Sequence, residues 1–243
     1  MEEVWAAVAA ALVLATACSS SEASAADLAA RGAANLRSAQ TTHVDGSGSL
    51  SVKGDFAQSF VLRVSGDAQA PDRARMRVQV ATSGAAIDLE TITVGDRSYV
   101  KDSATGKWSD GSSSSLGMGL DPFGTTDLAA IRDIAEVDRP LLDGRQTRHL
   151  RYSTDGAKLI AAMRGAAPSA AGTVANVRGS GELWIRIDDT QIVRQLVIVS
   201  FDVDGVSKLG SVETTRTSVK MSMDMRFSRH GQPVPAITAP PLH

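Results

Sequence analysis

The sequence is short of several things at once. It has one cysteine, ten aromatic residues among 243, and no excess of charge, with 25 Lys and Arg against 27 Asp and Glu. One cysteine allows neither an internal disulfide nor a cysteine-based zinc site. A formal charge of −2 provides no field to hold a polyphosphate, which argues against nucleic acid as a partner. No apolar run reaches the roughly 20 residues that cross a bilayer as a helix. The catalytic signatures G-x-S-x-G, H-E-x-x-H, G-x-G-x-x-G and G-x-x-x-x-G-K-[ST] do not occur. Gly106-Lys107 lacks the upstream glycine of a phosphate loop and reads as a turn before Trp108. His43, His149, His230 and His243 offer no metal set on one local element, and His149 shares strand parity with Thr147 and Arg151 on a polar face. Asp202 to Gly205 starts like a calcium loop without the later ligands. This inventory calls for no enzyme, no metal and no cofactor.

What is present begins at the N-terminus. Val4 to Ala17 is a 14-residue uncharged apolar run, the length of a signal-peptide core. It ends in Leu14-Ala15-Thr16-Ala17-Cys18, followed by Ser19, Ser20 and Ser21. Small residues directly before a cysteine look like a bacterial lipobox, in which cleavage frees Cys18 to carry a diacylglyceryl group. Glu2 and Glu3 stand where a basic n-region is usual, and a buried N-terminal helix with an incidental thiol is the alternative. On the lipobox reading, residues 1–17 are a signal peptide, 18–24 a flexible tether and 25–243 one domain. Cleavage removes Glu2 and Glu3 and no basic residue, so 25 charges of each sign remain.

Ala25 to Gln40 carries good helix formers with small or apolar residues at three- and four-residue spacing, and predicts a helix that Thr41 to Gly48 breaks. Period-2 alternation then marks strands: Leu50 and Val52; Phe60, Leu62 and Val64; and Arg73 to Val80, where Ala74, Met76, Val78 and Val80 oppose Arg73, Arg75, Arg77 and Gln79. Ile87 to Val94 changes parity between Leu89 and Ile92, which implies a bulge or burial on both faces. Gly95-Asp96 and Thr105-Gly106 are turns, and Ser109 to Gly119 is a Ser/Gly-rich loop. A second helix is predicted from Thr126 or Asp127, with Leu128, Ile131 and Ile134 on one face. Val137–Leu142 and Arg145–Ser153 form a hairpin about Asp143-Gly144. A third helix over Thr154 to Arg164 and a loop over Gly165 to Gly179 follow. The remaining strands are Glu182–Asp188, Ile192–Val203 and Glu213–Ser228, the last with Val219, Met221, Met223, Met225 and Phe227 on one face. Pro233 to Pro240 is an extended tail. Irregular alternation of strand and helix with short turns predicts an α+β domain with an antiparallel sheet of about ten strands and about three helices.

Those segments, in that order, resemble the LppX/LprG-type actinobacterial lipoproteins. The likeness rests on the lipobox cysteine, Ile92-Thr93-Val94-Gly95-Asp96-Arg97-Ser98-Tyr99-Val100, the Gly106-Lys107-Trp108 turn and Asp121-Pro122. It continues through Asp143-Gly144-Arg145-Gln146-Thr147-Arg148-His149-Leu150, Leu183-Trp184-Ile185 and Gln232-Pro233-Val234-Pro235-Ala236-Ile237. The resemblance implies a strongly curved, half-barrel sheet similar to the LolA/LolB carriers, closed by helices over a hydrophobic cavity. It implies an acylated lipid or glycolipid as ligand, a membrane anchor at Cys18 and a place on the outer face of the cell membrane. By strand parity alone, the candidate lining residues are Leu62, Met76, Val78, Ile87, Leu89, Ile185, Val197, Met221 and Met223. Scarce aromatics favour an aliphatic ligand over one held by stacking. The same stripe would also serve a filled core in an envelope scaffold or sensor with a protein partner, and that alternative stays open.

Overall fold

The computed structural model describes residues 22–54, 57–103, 105–111, 131–156, 158, 173–204 and 216–242. One helix, α1 (Ala25–Ser38), precedes twelve strands: β1 (Thr41–Lys53), β2 (Ala57–Gln69), β3 (Arg73–Ala81), β4 (Ala86–Val94), β5 (Arg97–Lys101), β6 (Trp108–Asp110), β7 (Ile131–Asp138), β8 (Leu141–Leu142), β9 (Arg145–Thr154), β10 (Thr173–Arg186), β11 (Ile192–Asp204) and β12 (Arg216–Ser228). All pairings are antiparallel, in the order β6-β5-β4-β3-β2-β1-β12-β11-β10-β9-β7, with β8 on β9. The chain therefore lays β2 to β6 down in sequence on one side of β1, and β12 pairs along the other.

Val78 on β3 and Tyr152 on β9 belong to the same buried cluster, although six strand spacings separate them. On a flat sheet that would be about 29 Å, against a helix about 10 Å across. Among the described residues only α1 packs on this face, against β7, β10 and β11, and the cluster runs along one apolar side of the sheet well beyond it. We call that side the inner face.

Helix α1 starts where the Ser24 hydroxyl accepts a bond from the Asp27 amide at 3.1 Å and donates to the Asp27 carboxylate at 2.7 Å. Its inward stripe is Leu28, Ala29, Gly32, Ala33 and Leu36. At Gly32 an added Cβ would lie 3.0 Å from Ile192 and 3.3 Å from Ile185, so the missing side chain sets how closely the helix approaches β10 and β11. The Asn35 amide then donates to the carbonyls of Asp189 and Thr190, both at 3.3 Å, fixing the other end of the helix.

The parity change in β4 is burial on two faces and not a bulge. Its register with β3 is unbroken, with Leu89 opposite Val78 and Ile92 opposite Arg75. Leu89 faces inward, while Ile92 is buried on the outer face with Tyr99 and Ile237. The extended tail crosses that face, and Arg73 donates to the Ile237 carbonyl at 3.0 Å.

Several sequence expectations fail for identifiable reasons. The second helix does not extend over Ile131 and Ile134, because Ile131–Asp138 is β7. Register with β9 shifts between Arg132 and Ala135, which lets two isoleucines three apart both reach the core. A bulge has imitated helical spacing. Thr154, the expected start of the third helix, closes β9; Gly156 and Lys158 are helical, and residues 159–164 of that expected helix lie outside the described residues. Thr41–Gly48, expected as a break, is the first half of β1, and Thr173–Gly179, expected as loop, begins β10. The result is one helix among the described residues instead of about three, and twelve strands instead of about ten. The Asp143-Gly144 turn is present with both φ values positive, at 50° and 75°.

Replacing Gly32 with leucine would drive four heavy atoms into Ile185 and Ile192. Urea unfolding of Gly32→Leu should show a loss of about 1–3 kcal/mol, the usual cost of overpacking.

Candidate functional site

Residues paired directly across an antiparallel sheet point to the same side, so the register defines the inner face strand by strand. From β4 to β12 it carries Ile87 and Leu89, Met76 and Val78, Leu62 and Val64, Val44, Gly46, Gly48 and Leu50, then Met221, Met223, Met225 and Phe227. Val197 and Val199 continue it on β11, Gly181 and Leu183 on β10, and Leu150 and Tyr152 on β9. Across β4, β3, β2, β1, β12, β11 and Gly179–Ile185 of β10, no inner position holds a charged residue. The first charge reached is Arg148 on β9.

All nine candidate lining residues fall on this face, but not in one environment. Ile185 is completely buried beneath α1, and Leu62, Met76, Val78 and Met223 are buried in the same cluster. Leu89, Met221 and Val197 are half-buried. Ile87, at the end of the stripe away from α1, is 50% exposed. The stripe thus runs from a sealed end under the helix to an end that keeps apolar surface.

Glycines open the inner face, and parity alone had passed over them. A Cβ on Gly48 would overlap the Ser222 carbonyl and the Met223 sulfur, and one on Gly66 the Arg75 carbonyl and the Met76 sulfur. On Gly181 it would overlap the Tyr152 hydroxyl. In each case a long side chain from the next strand lies across the bare glycine. Methionine suits this, being unbranched and polarizable. The pattern was visible in Gly46-Ser47-Gly48, which continues the period-2 parity of Val44, Leu50 and Val52. The Gln195 side chain is buried on this face and donates to the Tyr152 hydroxyl at 3.3 Å.

The outer face is laced with ion pairs. Glu90 links Arg75 and Lys101, and Arg194 forks onto Asp224 with bonds of 2.9 and 2.6 Å. That fork raises the Arg194 pKa above its ordinary value, against the burial that lowers it. Arg194 also lies 4.4 Å from the Trp184 ring, whose other side stacks on His149 at 4.3 Å. His149 in turn meets Asp138 at 2.9 Å and Glu182 at 3.0 Å. The expected polar face at His149 is thus the outer one. Beside it lies a depression of about 320 Å³, lined by Arg151, Ser153, Ser180, Glu182, Leu196 and Ile198 among others. Asp133, Arg151 and Glu182 bring charge to its rim, and Tyr152 and Gly181 of the inner-face row also line it.

The N-terminal connection is clamped at the β7–β9 edge. Arg139 donates to Glu22 at 2.7 Å and to Glu136 at 2.5 Å. Arg148, itself buried, donates to the Ala23 carbonyl at 2.7 Å and to Glu136 at 2.7 Å. Hydrogen bonds from Arg139, reinforced by Arg148, hold the Glu22 and Glu136 carboxyls below their ordinary pKa against the effect of burial. Glu22 to Ser24, at the end of the expected tether, are therefore seated on the domain. Cys18 lies outside the described residues. Among the described residues no group of three His, Cys, Asp or Glu side chains is arranged to hold a metal ion, and no helix is long and apolar enough to cross a membrane.

No family model matches the sequence, and no curated relative does. Solved structures do match. The lipoprotein LppX of Mycobacterium tuberculosis superposes with a TM-score of 0.50 at 16% identity, over 88% of this chain and 98% of its own. LprF from Mycobacterium bovis gives a TM-score of 0.50 at 15% identity, over 89% and 96%. A LolA superfamily protein from Nitrosomonas europaea reaches only 0.29 at 10% identity, over 84% and 94%, too weak a match to support the comparison. The large antiparallel sheet with its single described helix shares the fold of LppX and LprF.

Proposed function

We propose that this chain is a cell-envelope lipoprotein, anchored through Cys18 on the outer face of the cell membrane. Its inner face binds a lipid by the acyl chains and carries or presents it between envelope layers. The observation that carries this reading is the predominantly apolar inner stripe, uncharged over seven strands and partly exposed away from α1. Each methylene transferred from water to such a surface contributes roughly 0.8 kcal/mol. Capture then needs neither a cofactor nor a charge.

Leu89, Met221, Val197 and Ile87 are the parts of the stripe with surface left to give, and they are the proposed contacts. Leu62, Met76, Val78 and Met223 form the floor beneath them, and Ile185 belongs to the packing under the helix. The fold shared with LppX, a lipoprotein, supports the anchored reading, as does the small-residue run before Cys18.

Native mass spectrometry of gently purified protein should show bound lipid, and stripped protein should take up a fluorescent fatty acid. Met221→Asp should weaken that uptake by roughly tenfold or more, because an unpaired carboxylate against acyl carbons costs well over the ~1.4 kcal/mol of one decade. Protein that carries no lipid and takes up none would favour a filled core and a protein partner instead. Separately, Cys18→Ala should shift the chain from the membrane to the aqueous fraction on cell fractionation. A variant that stays membrane-bound would remove the anchor from the proposal.

A further inference from the structure

The clamp on Glu22 and Ala23 fixes where the chain enters the domain, and with it the surface nearest the anchor. Between Cys18 and Glu22 there are four residue steps, at most about 14 Å of extended chain. If Cys18 carries lipid, as proposed above, the edge bearing Arg139 and Arg148 must lie that close to the bilayer.

A row of apolar side chains stands at the same edge. Leu141 on β8 pairs with Gln146 on β9, and the Ile187 amide donates to the Gln146 carbonyl at 3.2 Å from the other side. Leu141, Gln146 and Ile187 therefore form one cross-strand row, and Leu141 is 70% and Ile187 42% exposed. Leu141 follows Arg139 by two residues, so their Cα atoms are within about 7 Å. Pro140 between them is held by Thr147, whose amide and hydroxyl bond its carbonyl at 3.0 and 2.8 Å. The nearby cations are already occupied. Arg139 holds Glu22 and Glu136, and Arg145 holds Asp188 and Asp189. The row can therefore meet a membrane through apolar contact, without relying on attraction to anionic headgroups.

We propose that the β8–β9 turn region rests on the bilayer surface, with Leu141 and Ile187 inserted at the headgroup boundary. The short tether beside it makes a lipid surface the occupant, since the anchor holds this row at the membrane at high local concentration. Adjacent strands connect this end to Ser228, His43, Asp67 and Arg75, so the β3–β4 turn at Thr82–Ala85 is at the opposite end. Gly84 there has open space around it.

The test uses the full chain purified from membranes, where mass spectrometry reports whether Cys18 is lipidated and thus blocked. Leu141→Cys, Ile187→Cys and Gly84→Cys are each labelled with an environment-sensitive fluorophore. The proteins are then placed on vesicles of phosphatidylethanolamine and phosphatidylglycerol containing brominated lipid. Probes at 141 and 187 should shift blue and lose most of their fluorescence to the bromines, with little change when salt is raised, while the probe at 84 stays solvent-like. Lipidated protein whose 141 and 187 probes remain solvent-like overturns this inference and leaves the anchor standing. A blue shift without quenching would mean a protein contact and also overturns it. Unmodified Cys18 removes the anchor reading and the inference together.

Discussion

The close approach of methionine and tyrosine side chains to bare glycines on the inner face is the contact on which the rest of this fold depends. With the strands paired in this register, bulky residues at every inner position would collide. Gly48 beside Met223, Gly66 beside Met76 and Gly181 beside Tyr152 relieve that crowding where neighbouring strands meet. The long side chains lie down instead of standing up, so the inner face is both smooth and dense. The outer face instead carries ion pairs, among them the Arg194–Asp224 fork.

Alternation made much of this legible. Arg73 to Val80 declares its two faces outright, and the methionines of β12 declare theirs. The first helix and the Asp143-Gly144 turn were equally readable, since propensity and turn chemistry act locally. What escaped the sequence was long-range. The Gly-Ser pattern of β1 is a poor strand by propensity, and only methionines nearly 180 residues away make it one. Ile131 and Ile134 share a face through a shift in register, which a spacing of three does not distinguish from a helical turn.

The site was legible in a different proportion. Parity placed all nine candidates on one face of the sheet, because period 2 is a geometric property of strands. Depth along the strand is not encoded in parity, so Ile185 and Ile87 read alike although one is sealed and the other half exposed. The position of α1 decides that difference, and it follows from Gly32 admitting Ile185 and Ile192. The clamp of Arg139 and Arg148 on the N-terminal connection was likewise invisible, since it joins residues more than a hundred positions apart.

The absence of charge along the inner stripe has a consequence for selectivity. A hydrocarbon chain on a surface without charge has little to fix its register and can slide with little change in energy. Discrimination among ligands would then follow the number of carbons that fit between the helix-sealed end and the far rim. Headgroup chemistry would enter only outside the stripe. On the proposed function, such a surface would act as a ruler, measuring the length of a chain and indifferent to what that chain is attached to.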